Sequence, residues 1–256
     1  MSRSSPTDRN SVSSERCADG KAIPRGHQWD SIGVRIYKEI KESILRGDIR
    51  PGEHIPSAVL AERFRVSPTP VREALSSLVR DGLAVYEPYR GVRAIELSHD
   101  LIRHIYEVRK ALELISWTKL AELIREKPDY INLEPYYALA FRGDTFLKAG
   151  DLKAYSDTDV ELHLAIAKLS QNGQLIAVMT VFMDKVRWLM THTASLGGRP
   201  YIANAEHKVL LDAVKNGDPD GVGQLVSRHL DHAEREMLEA LSRSSEVPQL
   251  NRRRQV

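Results

Sequence analysis

The chain has 256 residues, enough for two domains of ordinary size, and its 42% hydrophobic and 28% charged residues mark it as globular. No apolar run approaches the ~18 residues of a membrane span, and the Ser-rich start lacks the apolar core of a signal peptide, so a cytoplasmic protein without a membrane partner is expected. The single cysteine, Cys17, excludes an internal disulfide and a cysteine-built zinc site, and a net charge of +2 means that any nucleic-acid footprint must be local.

Residues 1–28 lack apolar periodicity and read as a disordered tail. From 29 to 95 the elements are short. Ile32, Ile36, Ile40 and Ile44 mark one face of a helix that Gly47 closes, and Pro51-Gly52 is a turn. Ser57 is placed to cap a second helix carrying Leu60, Ala61 and Phe64. A third helix carries Val71, Ala74, Leu75, Leu78 and Val79, the spacing of one buried stripe. Its start has Ser67 or Thr69 as cap, with Pro68 and Pro70 in the first turn, where a missing N–H costs little. Leu83–Tyr86 and Val92–Ile95, joined across Pro88–Gly91, read as a β-hairpin.

Three helices and a hairpin make the winged-helix plan. The outer face of the third helix then meets the major groove, with Arg72 suited to guanine and Ser67 and Thr69 to phosphate. Arg90 and Arg93 on the wing are further candidates for backbone or minor groove.

From residue 96 to 241 only helical patterns occur, broken near Pro128, Gly150, Asn172-Gly173, Gly197–Pro200 and Gly217–Pro219, with Asp218 capping the last helix. About six helices in a bundle are expected, so the fold class is mainly α, a winged helix-turn-helix followed by a helical bundle. A hinge is expected at Ile95–Asp100. Residues 242–256, ending in Arg252–Arg254, read as a flexible, solvated tail.

Asp159 and His163, four apart on a helix, share one face and offer an oxygen and a nitrogen to one ion. His207 and His229 recur on the last two helices, and a bundle with converging inner faces brings all four together. Three imidazoles and a carboxylate suit Zn, Ni, Mn or Fe as a divalent ion. By spacing alone, each histidine is more often a surface or hydrogen-bonded core residue than a ligand.

The segments Ile36–Lys41, Gly47–Glu53, Leu60–Phe64, Val66–Leu75 and Asp81–Val92 closely resemble the GntR family of bacterial transcription regulators. In that resemblance Arg72 matches a base-reading arginine. Pro68 and Ala58 replace arginines found in other members, which puts the usual operator core in doubt. Residues 99–241 resemble the helical effector domain of the FadR subfamily, the FCD domain, through Tyr106–Arg109 with Leu112-Glu113, Asp159–His163 with Asn172, Glu206–Lys208 with Leu211–Ala213, and Arg228–Leu230.

The resemblance implies Asp159, His163, His207 and His229 as metal ligands, His229 rather than the nearby His232, and an arginine at Arg109 facing the pocket. Arg109 would clamp a small carboxylate effector, with Arg187 as a second candidate. The implied protein is a homodimeric repressor on palindromic operator DNA, released by an organic acid bound at the metal, with no catalytic residues. The alternatives are a regulator for which the ion itself is the signal, and a metallohydrolase, against which no H-E-x-x-H pattern exists.

Overall fold

The computed structural model describes residues 31–194 and 200–253, with side chains up to Ser244; the expectations for residues 1–28 and for the break at 197–199 lie outside these residues. Among the described residues the chain forms nine helices and one three-stranded sheet.

The first unit holds α1 (Ile32–Arg46), β1 (His54–Ile55), α2 (Ser57–Phe64), α3 (Pro68–Arg80), β2 (Ala84–Glu87) and β3 (Gly91–Ala94). Ile36, Ile40 and Ile44 of α1 are buried against Val71, Ala74, Leu75 and Leu78 of α3, the two stripes expected from the sequence. Gly47 ends α1 at φ 81°, the left-handed region that glycine enters without steric cost. Ser57 is the first residue of α2 rather than its cap; Pro56 precedes the helix and no side chain caps it. The hairpin forms as expected, Ala84 pairing with Ala94 and Glu87 with Gly91. Strand β1 joins β3 antiparallel to complete the order β1-β3-β2. A two-residue strand leaves no period to read, which is why the sequence did not reveal it.

The second unit is six helices: α4 (His99–Glu126), α5 (Glu134–Ala149), α6 (Leu152–Leu169), α7 (Gly173–Ala194), α8 (Pro200–Lys215) and α9 (Pro219–Arg253). Asp218 Oδ1 accepts from Gly221 N at 3.0 Å and caps α9 as expected. Helices α4 and α9 run antiparallel. Three contacts order them: His99 to Ser242, Tyr106 to Met237 and Lys110 to Glu234. Helix α5 approaches α8 closely at Gly143, where a Cβ would stand 2.5 Å from Asn204 Oδ1.

Two boundaries differ from expectation. Ile95 is buried and its N–H bonds Leu83 O, while Ser98 caps α4, so the connector shrinks to Glu96–Ser98. Helix α9 also continues to Arg253, through residues read as a tail. Leu241 packs on the core and Ser242 bonds His99, so tertiary contacts extend the helix past the point where apolar periodicity fades.

The two units share a seam between α1 and α7. Lys41 pairs with Asp184 at 2.5 Å, and Arg187 reaches Glu42 at 3.3 Å.

Candidate metal centre and nucleic-acid interface

Four helices each bring a polar residue to one buried point between them. On α6, Asp159 and His163 lie on the inner face with Leu162, Ile166 and Ala167. His207 occupies the inner register that Leu210, Leu211 and Val214 continue along α8, and His229 that of Val222 and Val226 along α9. From α4 come Arg109 and Glu113, one turn apart and both buried. Burying so many polar groups is costly unless they satisfy one another.

The three imidazoles offer ligand atoms that all lie within 4.8 Å of one another. His163 Nε2 is 3.2 Å from His207 Nε2. The Asp159 carboxylate stands 3.5 Å from His207 Nε2 and 3.8 Å from His163 Nε2. Two atoms bound to one ion at ~2.1 Å can be at most ~4.2 Å apart. These three separations meet that limit, and His229 offers an atom within 4.8 Å of both other imidazoles. The donor set therefore fits a transition-metal ion.

The far side of the rings matters as much. His163 Nδ1 faces Glu113 Oε2 at 2.6 Å, short in distance though not aligned as a hydrogen bond. His229 Nδ1 meets Glu206 Oε2 at 2.9 Å, and the other oxygen of Glu206 takes His232 Nδ1 at 2.8 Å. His232 is thus a neighbour of the site held through Glu206. A carboxylate on Nδ1 fixes the tautomer and leaves Nε2 as the ligand atom. Burial, then His229 and His163, push the His207 imidazole well below its ordinary pKa. Burial also lowers His229, against the pull of Glu206. Neutral imidazole is the form that binds metal.

Arg109 is enclosed by the same cluster. Its Nε donates to Glu113 Oε1 at 2.5 Å, Nη1 to the Tyr106 hydroxyl at 3.3 Å, and Nη2 to His163 Nε2 at 3.1 Å. Burial alone would raise the Glu113 carboxyl, but the Arg109 guanidinium and then His163 hold it far below the usual carboxylate range. Burial pushes the Tyr106 hydroxyl up to about 12, so it stays neutral. Arg109, Tyr106, Asp159 and His229 line one end of a cavity of about 80 Å³.

Arg187 does not line this cavity. Its Nε pairs with Asp157 at 2.6 Å and its Nη1 reaches Glu42, so it joins α6 to α1 across the seam. Glu113 and Glu206 were not singled out from the sequence as site residues, although both sit within quoted motifs. The helical spacing Arg109/Glu113 and the adjacency Glu206-His207 were the available signals.

In the winged helix, Ser67 is the N-cap of α3 and makes no side-chain cap bond. Pro70 lacks the N–H a cap would use at that position, so the hydroxyl can turn outward. Ser67, Thr69, Arg72 and Arg90 are all exposed on the face away from the core. Arg93 is half-buried and pairs with Glu87 across the hairpin at 2.5 Å. At the wing tip Tyr89 takes φ 64° and is fully exposed, and Tyr86 is 65% exposed; neither was anticipated.

A winged helix followed by a helical domain with a buried polar cluster is the two-domain architecture of a transcription regulator. The chain belongs to the GntR family of transcriptional regulators with an FCD domain: the model of bacterial regulatory proteins of the gntR family matches residues 33–93, and that of the FCD domain matches residues 104–232, about half the chain.

The chain is 24% identical over 204 residues to the uncharacterized HTH-type transcriptional regulator YdhC of Bacillus subtilis, covering 78% of this chain and 88% of YdhC. It is 25% identical over 199 residues to the HTH-type transcriptional repressor RspR of Escherichia coli, covering 78% and 86%. A solved putative transcriptional regulator GntR from Rhodococcus sp. RHA1 matches with TM-score 0.70 at 23% identity, over 82% of this chain and 99% of that one. These proteins are regulators and not enzymes, which removes the metallohydrolase alternative. No helix among the described residues is long and apolar enough to cross a membrane.

Proposed function

We propose that this regulator is a homodimeric cytoplasmic repressor of palindromic operator DNA, switched by a small carboxylate bound at a divalent metal in the helical domain. The carrying observation is the buried cluster of His163, His207 and His229, with Asp159 beside it and Arg109 facing it from α4. The four would hold the ion, which supplies a Lewis-acidic point for an anionic oxygen. Arg109 presents a planar donor fork to the carboxylate from the opposite side. Its bond to His163 Nε2 is given up when that nitrogen turns to the ion. Zn, Ni, Mn and Fe all suit this donor set.

For DNA, Arg72 reads a base from the exposed face of α3, Ser67 and Thr69 hold phosphate at its N-terminus, and Arg90 and Arg93 serve the wing. One reading helix covers few base pairs, so tight binding calls for two copies on a palindrome. Val108 and Ile115, 44% and 48% exposed on the outer face of α4, are surface a second copy would cover. Repression is the mode named for RspR. The effector acts by binding the DNA-competent and incompetent states unequally, and a coupling of ~1–3 kcal/mol changes operator affinity roughly 5- to 150-fold.

The test is fluorescence anisotropy of DNA from upstream of the regulator's own gene, with zinc-loaded and metal-stripped protein, with and without carboxylic acids. Zinc-dependent release by an acid supports the proposal; binding indifferent to every acid sinks the switch. A second reading has support from the same donor count: four protein ligands can complete a tetrahedral shell, leaving the ion itself as the signal. Release or capture of DNA by metal alone would favour it.

A further inference from the structure

The cavity is built unevenly along its length. Its charged end is the Arg109–His229 cluster. From His229 it follows α9 through Ala233 and Met237 to Ala240, about 16 Å along the helix axis at ~1.5 Å per residue. The facing wall is Leu152 of α6, Met190 of α7 and Ala203 of α8. None of these six side chains can donate a hydrogen bond. Among the polar groups nearby, Thr193 donates to Leu189 O at 2.8 Å and the Tyr155 hydroxyl turns to Asp159 at 3.4 Å, while Ser156 lies one helical turn from Asp159, toward the charged end. Glu236 also borders the cavity.

We infer that the effector is a monocarboxylate with a hydrocarbon body, aliphatic or aryl-alkyl, that carries no hydroxyl groups. This inference rests on the carboxylate reading above and specifies what lies beyond the carboxyl group. An apolar trough with a cationic site at one end rewards each methylene laid in it, about fourfold in affinity at ~0.8 kcal/mol per buried methylene. A hydroxyl placed against Met190 or Met237 loses its water and finds no partner, a loss of about fivefold or more for each. Sugar acids and dicarboxylates, whose polar groups are spread along the molecule, fit this trough poorly. Methionine walls also adapt their shape, which suits a range of chain lengths.

The experiment is calorimetric titration of zinc-loaded full-length protein with acetate, butyrate, hexanoate and octanoate, and with gluconate and succinate. Affinity is expected to climb by about fourfold per methylene until the trough is filled, with gluconate and succinate at least tenfold weaker than hexanoate. Met190→Gln is expected to flatten that climb. A flat alkanoate series, or tighter binding of gluconate, overturns the inference and leaves the carboxylate reading intact. Failure of every acid to bind zinc-loaded protein overturns both. Zinc content measured on the same samples separates a missing metal from a wrong ligand.

Discussion

Glu113 stands where the metal cluster and the effector clamp meet, and replacing it with glutamine tests both. Its two carboxylate oxygens serve two different donors, Oε1 the Arg109 Nε–H and Oε2 the His163 Nδ1 side. An amide has one acceptor oxygen. If that oxygen stays with Arg109, the NH₂ group faces Nδ1 of His163, the ring reprotonates at Nε2, and the ligand atom is lost. If it turns to His163, a buried guanidinium faces a donor. Loss of a carboxylate behind a metal-bound imidazole typically costs 10- to 100-fold in affinity, ~1.4–2.7 kcal/mol. Breaking a buried ion pair costs ~3–5 kcal/mol, and since glutamine keeps one good contact the low end, about 3 kcal/mol, is expected. For a protein of this size that lowers Tm by roughly 6–12 °C. Zinc equilibrium dialysis and thermal melts of metal-stripped protein measure the two effects separately. The double variant Arg109→Met with Glu113→Leu removes both charges and is expected to be more stable than either single variant, because an apolar pair needs no desolvation. Glu113→Gln with native zinc affinity and a native melting temperature would refute the reasoning.

Three further outcomes follow. His207→Ala removes one of three clustered imidazoles and is expected to reduce bound zinc to below half stoichiometry at micromolar metal, read by atomic absorption on dialysed protein. Arg72→Ala should weaken operator binding by ~1–3 kcal/mol and relax preference at one G·C pair, whereas Arg90→Ala should weaken all sequences alike and reduce the salt dependence, both read by anisotropy across a site library. Arg187→Ala breaks a partly exposed pair of bonds and should cost at most ~1 kcal/mol of stability, yet it should uncouple acid binding from DNA release. Unaltered release in that variant would show that the seam carries no signal.

The sequence was most legible where a period repeats. The α1 and α3 stripes run over several turns and emerge buried, except that Ile32 at the start of α1 is exposed and Val79 is half-buried. The hairpin and the six-helix count follow from turn residues that can be read singly. Spacing alone left His163, His207 and His229 undecided, and their common site was expected only through the resemblance to the FCD domain. What spacing could not supply was pairing between helices. Nothing in Glu113 alone says that it will meet His163 on another helix. Arg187 failed for the same reason: as an arginine in an apolar helix it suits a pocket or a seam, and only the packing of α7 on α1 decides. Strand β1 and the extension of α9 were hidden because each depends on a partner distant in sequence.

The route from pocket to DNA can be argued from magnitudes. Helix α6 carries Asp159 and His163 toward the metal point and Asp157, half a turn earlier, toward Arg187. Arg187 in turn reaches Glu42 on α1, and Asp184 one turn before it holds Lys41. Helix α1 is packed against α3, the proposed reading helix. A displacement of α6 on effector binding therefore meets one shared side chain before it reaches the DNA-binding unit. Partly exposed ion pairs contribute ~0.2–1 kcal/mol each. Two such pairs across the seam can shift the placement of the unit by an energy of the same order as the ~1–3 kcal/mol that regulation needs. Much stronger bonds would lock α1 to α7 in either state, and much weaker ones would leave the two units independent. The seam's strength lies in the range where the proposed effector can decide between them.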